Sequence, residues 1–102
     1  MTPVLLIAAL AAQMECALTL EARGFGSRAA TLAQPYAECL NATMGTQTEM
    51  LRQCSAVRAA QVDASGKTLR GEGRAKFVRA MNWLDAMADE RANCGTRLRV
   101  SK

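Results

Sequence analysis

Apolar residues recur at helical spacing along most of the chain, and no stretch alternates apolar and polar residues for long enough to predict a strand. The Ala-rich composition also favours helices. A glycine-containing stretch at 23–27 interrupts the pattern and separates an N-terminal region from the remainder of the chain. The pattern therefore predicts an all-α fold, with a helical hairpin or three-helix domain over residues 27–95.

The first predicted helix runs from the glycine break to about Met44. Leu32, Tyr36, Leu40 and Met44 lie on one apolar stripe of this helix. Because Pro35 cannot donate a backbone hydrogen bond, it is expected near the start of the helix or at a kink.

The clearest turn signal comes directly after the first helix. Gly45 can end that helix, Thr46 can cap the next one, and Glu49, three residues after Thr46, completes a capping box. The second helix is expected to end near Asp63, and a glycine-containing loop is expected over 65–73.

A third helix is predicted over about 74–93, with Phe77 and Leu84 among its inward residues. Gly95 is a suitable residue to stop this helix. The basic tail 96–102 is expected to be flexible.

The N-terminal region differs from the rest of the chain. An unbroken apolar run covers 4–12, and no Lys or Arg occurs before Arg23. A membrane-spanning helix needs about 20 apolar residues, so this run is too short for one, but it has the length of a signal-peptide core. We predict a signal peptide over 1–12, with the cleavage site placed no more closely than 11–22, and hence a periplasmic or secreted protein. The alternative is the apolar first helix of a cytosolic bundle.

The chain has four cysteines in 102 residues, which favours a disulfide-stapled exported domain, because small exported domains use disulfides where the core is thin. In an antiparallel helix pair, residues equidistant from the turn face each other. Cys39 and Cys54 are equidistant from the capping-box turn, whereas Cys39 and Cys94 are equidistant from a point beside Gly66, which would suit one long hairpin. We favour Cys39–Cys54 because the capping box marks a break. Cys16 and Cys94 then pair by default, if cleavage leaves Cys16 in the mature chain.

The net charge of +4 favours anionic partners. Within 66–79, five basic residues stand against the single acid Glu72. These five are Lys67, Arg70, Arg74, Lys76 and Arg79. They form either a solvated loop and helix start or a contact patch for an acidic partner. Nucleic acid is a poor candidate, because Phe77 is the one aromatic residue in the cluster and export removes the usual target.

Residues that could support catalysis or metal binding are sparse. The chain has no His and no Cys-x-x-Cys motif, which removes the commonest general base, most zinc sites and a common redox centre. Asp85, Asp89 and Glu90 could form a paired-carboxylate site, but the i, i+4 spacing of Asp85 and Asp89 is ordinary on an exposed helix face. We predict a non-enzymatic protein with no cofactor and no metal site.

One set of residues between about Pro35 and Cys94 has a counterpart in a known family. In chain order the set is Cys39, Thr46-Gln47-Thr48-Glu49-Met50, Cys54, Asp63, Trp83, Arg91 and Cys94. It resembles the LprI-like lysozyme inhibitors, which are small exported bacterial helical proteins with a similar arrangement. The chain departs from them after Asp63, where Ala64-Ser65-Gly66-Lys67 stands in place of the usual Leu-Asn and Tyr. The resemblance implies a periplasmic or surface inhibitor that occludes lysozyme, with the cysteines as scaffold, and it assigns no inhibitory residues here.

The sequence supports three functional hypotheses. The leading one is an exported non-enzymatic binding protein, with lysozyme as its most specific partner, although the basic net charge would not steer it towards a basic lysozyme. The second is a structural or envelope-associated helical protein without a discrete ligand, held by its basic face against anionic lipid or polymer. The third is a cytosolic helical adaptor with reduced cysteines.

Overall fold

The computed structural model describes residues 16–20 and 24–100, and for 95–100 it describes the backbone only. The main elements of this part of the chain are helices, and no strand occurs in it. The helices are α1 (Ser27–Ala42), α2 (Gln47–Gln53), α3 (Ser55–Thr68) and α4 (Gly71–Val100). The predicted all-α fold is confirmed. The predicted signal peptide lies outside the described residues.

Helices α1 and α4 run parallel. Tyr36 of α1 contacts Asp85 of α4, and further along both helices Asn41 contacts Arg91. Small side chains on the facing surfaces, such as Ala33 and the fully buried Ala80, let the two helices pack closely. This pair forms most of the core.

Helices α2 and α3 form a return limb between α1 and α4, interrupted at Cys54. The limb is antiparallel to α1, because Cys54 in the limb is bonded to Cys39 near the end of α1, while Thr68 at the end of the limb lies beside the start of α1. It is also antiparallel to α4, because a two-residue turn joins the end of the limb to the start of α4 and Arg58 near the middle of the limb reaches Asp85. The domain is therefore an up-down-up bundle of three limbs, and the favoured cysteine pairing is the one that the structure contains.

The buried core draws its residues unevenly from the helices. Its largest members, other than the N-terminal Leu20, are Tyr36, Leu40, Met50, Phe77, Met81 and Leu84. Helix α3 contributes only the buried Ser65, with Leu69 directly after the helix. The return limb is therefore held mainly by contacts other than large apolar side chains of α3.

The described N-terminal segment 16–20 packs against the C-terminal parts of α1 and α4. Leu18 and Leu20 are buried. The Asn41 side chain accepts a hydrogen bond from the Leu18 N–H at 2.7 Å and donates one to the Leu18 carbonyl at 3.0 Å. The Cys16–Cys94 disulfide closes this end of the molecule, and it is the second predicted pair.

The Thr46 half of the predicted capping box forms at the start of α2, where the Thr46 hydroxyl also donates to the Glu49 carboxylate at 3.2 Å. The Thr46 side chain accepts a hydrogen bond from the backbone N–H of Glu49 at 3.3 Å. Gly45 precedes it with φ +131°, a conformation that side chains with a Cβ rarely adopt. The turn was therefore predicted correctly from the sequence.

The predicted loop over 65–73 is wrong. Helix α3 continues past Asp63 to Thr68, and α4 begins at Gly71, so that Leu69 and Arg70 alone connect them. Gly in a helix interior costs roughly 1 kcal/mol, and the burial of Ser65 and of Leu69 directly after the helix offsets that cost. Gly71, with φ +54°, allows the tight reversal.

Pro35 lies inside α1 on an exposed position, so the first of its two expected placements, near the helix start, does not occur. Two predictions about the remaining helix ends are wrong. Helix α1 ends at Ala42, so Met44 is outside it and 53% exposed. Helix α4 continues through Gly95 to Val100, because a single glycine weakens a helix without stopping it. The tail from 96 is thus helical as far as 100, and residues 101–102 lie outside the described residues.

Within the described part of the chain, no helix combines the length and the apolar character that crossing a membrane requires.

Candidate functional site: the basic end of the bundle

The five residues of the predicted contact patch lie towards the end of the bundle where α3 passes into α4, but two of them are already in ion pairs. The Nζ atom of Lys67 lies 3.1 Å from Oδ2 of Asp63, and Nη2 of Arg79 lies 2.9 Å from Oε1 of Glu72. All four side chains in these pairs are more than half exposed. These two cations are therefore locally neutralised.

The other three predicted residues do not share one face. Arg74 extends towards α3, where a Cβ placed on Gly66 would lie 3.9 Å from its Nη2 atom. Lys76 extends towards the start of α1, where a Cβ placed on Gly26 would lie 3.6 Å from its Cδ atom. Two residues apart on an α-helix correspond to a rotation of about 200°, which is why the two side chains diverge. Arg70 is exposed in the turn between α3 and α4.

Arg28 joins these cations, although it is far from them in sequence. Because α1 and α4 are parallel, the first turn of α1 lies at the same end as the α3–α4 turn. Arg28 is exposed there. Knowledge of the up-down-up topology would have predicted that Arg28 joins these cations, since that topology places the start of α1 beside the turn between α3 and α4.

We call Arg28, Arg70, Arg74 and Lys76 the basic end. None of the four forms an ion pair within the described residues. The acids nearest in the chain to Arg70, Arg74 and Lys76 are Asp63 and Glu72, and these are already paired with Lys67 and Arg79. The basic end therefore carries a positive charge that its neighbouring acids do not neutralise.

A cavity of about 300 Å³ opens between the first turn of α1 and the last turn of α3. It is lined by Ser27, Arg28, Thr31, Leu32, Thr68 and Leu69. Arg28 belongs to both the cavity and the basic end, and Arg70 is the next residue after the lining residue Leu69. The cavity thus borders the basic end at Arg28.

A second polar cluster lies in the middle of the bundle, around Asp85. Tyr36 is fully buried, and its hydroxyl donates a hydrogen bond to the Asp85 carboxylate at 2.6 Å. Arg58 donates from Nε and Nη2, the latter at 2.6 Å, and its guanidinium also lies 5.8 Å from the centre of the Tyr36 ring. Gln47 donates to the Asp85 backbone carbonyl at 3.0 Å. The Asp85 cluster joins all four helices.

The environment of this cluster shifts two pKa values. Burial raises the pKa of Tyr36 well above its ordinary value, and the hydrogen bond to Asp85 raises it further. The hydrogen bond to the Asp85 carboxylate raises the pKa of Arg58. Both shifts preserve the forms that hold the cluster together, a neutral phenol and a charged guanidinium.

The description of Asp85 as an ordinary exposed carboxylate is therefore wrong. Its side chain is 30% exposed and is engaged by Tyr36 and Arg58, whereas Asp89 and Glu90 are exposed. Among the described residues, no group of three or more potential ligands is placed to hold a metal ion.

The residues that carry the family resemblance have structural roles in this molecule. Thr46 caps α2, and Cys39 and Cys94 belong to the two disulfides. Arg91 is 7% exposed and donates from Nη2 to the Asn41 carbonyl at 2.6 Å, near the end of α1.

Trp83 packs against Phe25, with the ring centres 6.1 Å apart. The residues that carry the family resemblance therefore stabilise the fold and do not by themselves define a binding surface.

The fold and its two disulfides define a small, all-helical, disulfide-stapled domain. Disulfides of this kind indicate an oxidising compartment rather than a reducing cytosol. The chain matches no protein-family model, and no curated protein or solved structure is significantly similar to it. The likeness to the lysozyme inhibitors stays a prediction.

Proposed function

We propose that this chain is a small exported binding protein without enzymatic activity, and that its basic end holds it against an anionic surface of the cell envelope. The observation that carries this proposal is the set of four cations, drawn from three parts of the fold, that have no ion partner among the described residues. A periplasmic or secreted location is part of the proposal. It is supported by the two disulfides.

The placement of the cations favours an extended surface over a small acidic patch. Arg74 and Lys76 extend in different directions from α4, with Arg28 and Arg70 at the same end. A partner that covers the whole end of the bundle can meet all four charges at once, whereas a small patch can meet only those on one flank. Charges arranged in this way also attract an anionic surface from a distance, in a manner that salt screens.

The state of the carboxylates supports a role without catalysis. Of the three acids considered for a paired-carboxylate site, Asp85 has its carboxylate engaged by Tyr36 and Arg58. A general acid or base must be able to exchange a proton with a substrate. In this cluster, Asp85 instead fixes the positions of the helices.

The test compares two double variants that remove the same amount of charge. Arg70→Gln with Arg74→Gln removes two cations of the basic end, and Lys67→Gln with Arg79→Gln removes two that are in ion pairs. Binding to an isolated cell-envelope fraction is measured by co-sedimentation at low and high salt. We expect the first variant to bind several-fold more weakly than the second, and high salt to weaken the wild type. Equal loss in both variants, or binding indifferent to salt, would refute the proposal.

Lysozyme inhibition is a second proposed function, and it is supported by the resemblance alone. The Thr46 cap and the Cys39–Cys54 disulfide reproduce the scaffold features on which that resemblance depends. Titration of lysozyme activity with the oxidised protein tests it directly. A stoichiometric loss of activity is expected for an inhibitor, and full activity at a large excess of this protein would rule the function out.

A further inference from the structure

Two of the large apolar side chains that are exposed among the described residues belong to the α3–α4 hairpin. They are Val62 of α3, which is 39% exposed, and Val78 of α4, which is 47% exposed. A third, Met44, lies in the turn between α1 and α2, at the opposite end of the bundle. Because scattered exposed apolar residues are ordinary, the relative position of the two valines decides whether they form one surface.

Val62 lies on the face of α3 that is turned towards α4. Arg58, one turn before Val62, reaches Asp85 of α4 in an ion pair of 2.6 Å. Gly66, one turn after Val62, lies beside the Arg74 side chain of α4, where a Cβ placed on Gly66 would be 3.9 Å from Nη2. Residues one turn apart share a helix face, so Val62 faces α4 between these two contacts.

Val78 occupies the corresponding position on α4. It lies one turn after Arg74 and two turns before Asp85, the two residues of α4 that make the same contacts. Both valines therefore face the seam between α3 and α4, in the stretch that the two contacts bracket. Since both remain partly exposed, this stretch of the seam presents an apolar surface to solvent.

The charges beside the two valines indicate the kind of partner. Arg74, one turn from Val78, and Arg70 in the turn belong to the basic end and form no ion pair within the described residues. At the other end of the stretch, the Asp85 carboxylate is paired with Arg58. The apolar surface thus adjoins positive charge that its nearby acids do not neutralise, and its complement is a partner that is both anionic and apolar.

We infer that the partner of this surface is an anionic lipid bilayer. Aliphatic side chains enter the boundary between headgroups and acyl chains while neighbouring cations meet the lipid phosphates, so both features of the surface are used. A water-soluble anionic polymer would meet the cations but would give the valines no apolar environment. The exposed small residues on either side of Val62, Ala59 and Gly66, let an extended surface approach the seam. This inference rests on the proposed function, and it specifies the anionic surface of the envelope as lipid.

The experiment uses the oxidised protein as recovered from its native host and vesicles of phosphatidylglycerol mixed with phosphatidylcholine. The test variant is Val62→Ser with Val78→Ser, and the control is Met44→Ser, which removes the most exposed of the three apolar side chains. We expect the test variant to bind vesicles about tenfold more weakly than the wild type, and the control to bind like the wild type. Because salt screens charge and not apolar contact, the ratio between wild type and test variant should persist at high salt. Equal binding of the wild type and the test variant would overturn the inference.

A soluble polyanion, inorganic polyphosphate, shows whether the test variant keeps its fold and its charges. The wild type and the test variant should bind polyphosphate equally. If the test variant loses this binding as well, Val62→Thr with Val78→Thr, which keeps the shape of both side chains, replaces it. Unchanged vesicle binding by that variant would then overturn the inference.

Sedimentation without vesicles tests a second copy of the chain as the alternative partner. The wild type should be monomeric, and a dimer that the valine substitutions dissociate would assign the surface to self-association and overturn the inference. The proposed function fails separately, since it requires that envelope binding depend on Arg70 and Arg74. Envelope binding that needs these arginines but is indifferent to the valines would refute the lipid contact alone.

Discussion

Asp85 is the residue on which most of the polar structure depends. Its carboxylate accepts hydrogen bonds from Tyr36 and Arg58, and its backbone carbonyl accepts one from Gln47. Removing one partner of such a cluster leaves the others without hydrogen bonds in a partly buried place, which costs more than the bonds themselves contribute. The stability of the domain is therefore expected to depend on this carboxylate, which the sequence pattern placed on an exposed helix face.

Substituting Asp85→Asn tests this role. The amide keeps the size of the side chain but loses the charge that Arg58 pairs with and one of the acceptors, and we expect a loss of about 1–3 kcal/mol in the free energy of unfolding. Urea denaturation of the oxidised protein measures it. Asp89→Asn, one turn away and exposed, is the matched control and should change stability by less than about 0.5 kcal/mol. Equal effects of the two substitutions would contradict the proposed role of Asp85.

The raised pKa of Tyr36 makes the free energy of unfolding fall as the pH rises in the alkaline range. In the unfolded chain, tyrosine loses its proton near pH 10, whereas in the folded protein burial and Asp85 keep Tyr36 protonated above that value. Its contribution to stability is therefore complete below pH 10 and is lost as the pH rises further towards the folded pKa. Tyr36→Phe should remove this part of the alkaline dependence.

Tyr36 is the single tyrosine of the chain, so its ionisation can be followed directly by the ultraviolet absorbance of tyrosinate. The folded protein should show no ionisation midpoint near pH 10, and the denatured protein should show one there. A midpoint near pH 10 in the folded protein would mean that the hydroxyl is not held as described.

Sequence patterns could not show the Asp85 cluster. Tyr36 and Asp85 are 49 residues apart, and the spacing of Asp85 and Asp89 is the same whether the helix face is exposed or covered. Only the parallel packing of α1 and α4 brings a buried hydroxyl to this carboxylate. Local signals carry no information on that packing.

At the scale of elements, the return limb has the weakest apolar support. Helix α3 buries only Ser65, so its position depends on the capped turn before it, the Cys39–Cys54 disulfide and the Arg58–Asp85 ion pair. Breaking one of these contacts should loosen the limb before it affects the packing of α1 on α4.

The cap of α2 provides a local test. Thr46→Ala removes the side-chain acceptor for the Glu49 N–H and should cost about 1 kcal/mol of stability. Thr48→Ala, two residues further on and exposed, is the control and should cost much less. Thermal denaturation of the two variants side by side measures the difference, and a larger loss for Thr48→Ala would contradict the assignment of the cap.

The two disulfides should differ in their effects. The Cys39–Cys54 bridge spans 15 residues, and in the chain-entropy model its loss costs roughly 3 kcal/mol. The Cys16–Cys94 bridge spans 78 residues, and the same model gives roughly 4.5 kcal/mol. Double Cys→Ala variants of each pair, compared by urea denaturation, should show this order. The reverse order would show that the Cys39–Cys54 bridge holds the return limb more strongly than loop entropy alone accounts for.

The elements that could be predicted are those with local signals. The Thr46 cap and the pairing of Cys39 with Cys54 depend on residues close in sequence, and both occur in the structure. The helix ends predicted near Asp63 and at Gly95 are wrong, because glycine is only a weak stop signal and the packing around it decides the outcome.

At the scale of the whole molecule, topology creates the basic end. The cluster of basic residues near the α3–α4 turn is visible in the sequence, but Arg28 joins it only because the first and third limbs are parallel. The structure also divides the predicted patch, since Lys67 and Arg79 are in ion pairs and Arg74 and Lys76 diverge. Neither effect can be derived from sequence spacing.

Export of a disulfide-stapled domain is the claim on which the proposed role depends, and intact mass spectrometry of protein recovered from its native host tests it most directly. We expect a chain that lacks its predicted signal peptide and retains Cys16, with the non-reduced form four hydrogens lighter than the reduced form because of two disulfides. A full-length chain with four free thiols would contradict the compartment, the staples and the proposed function together.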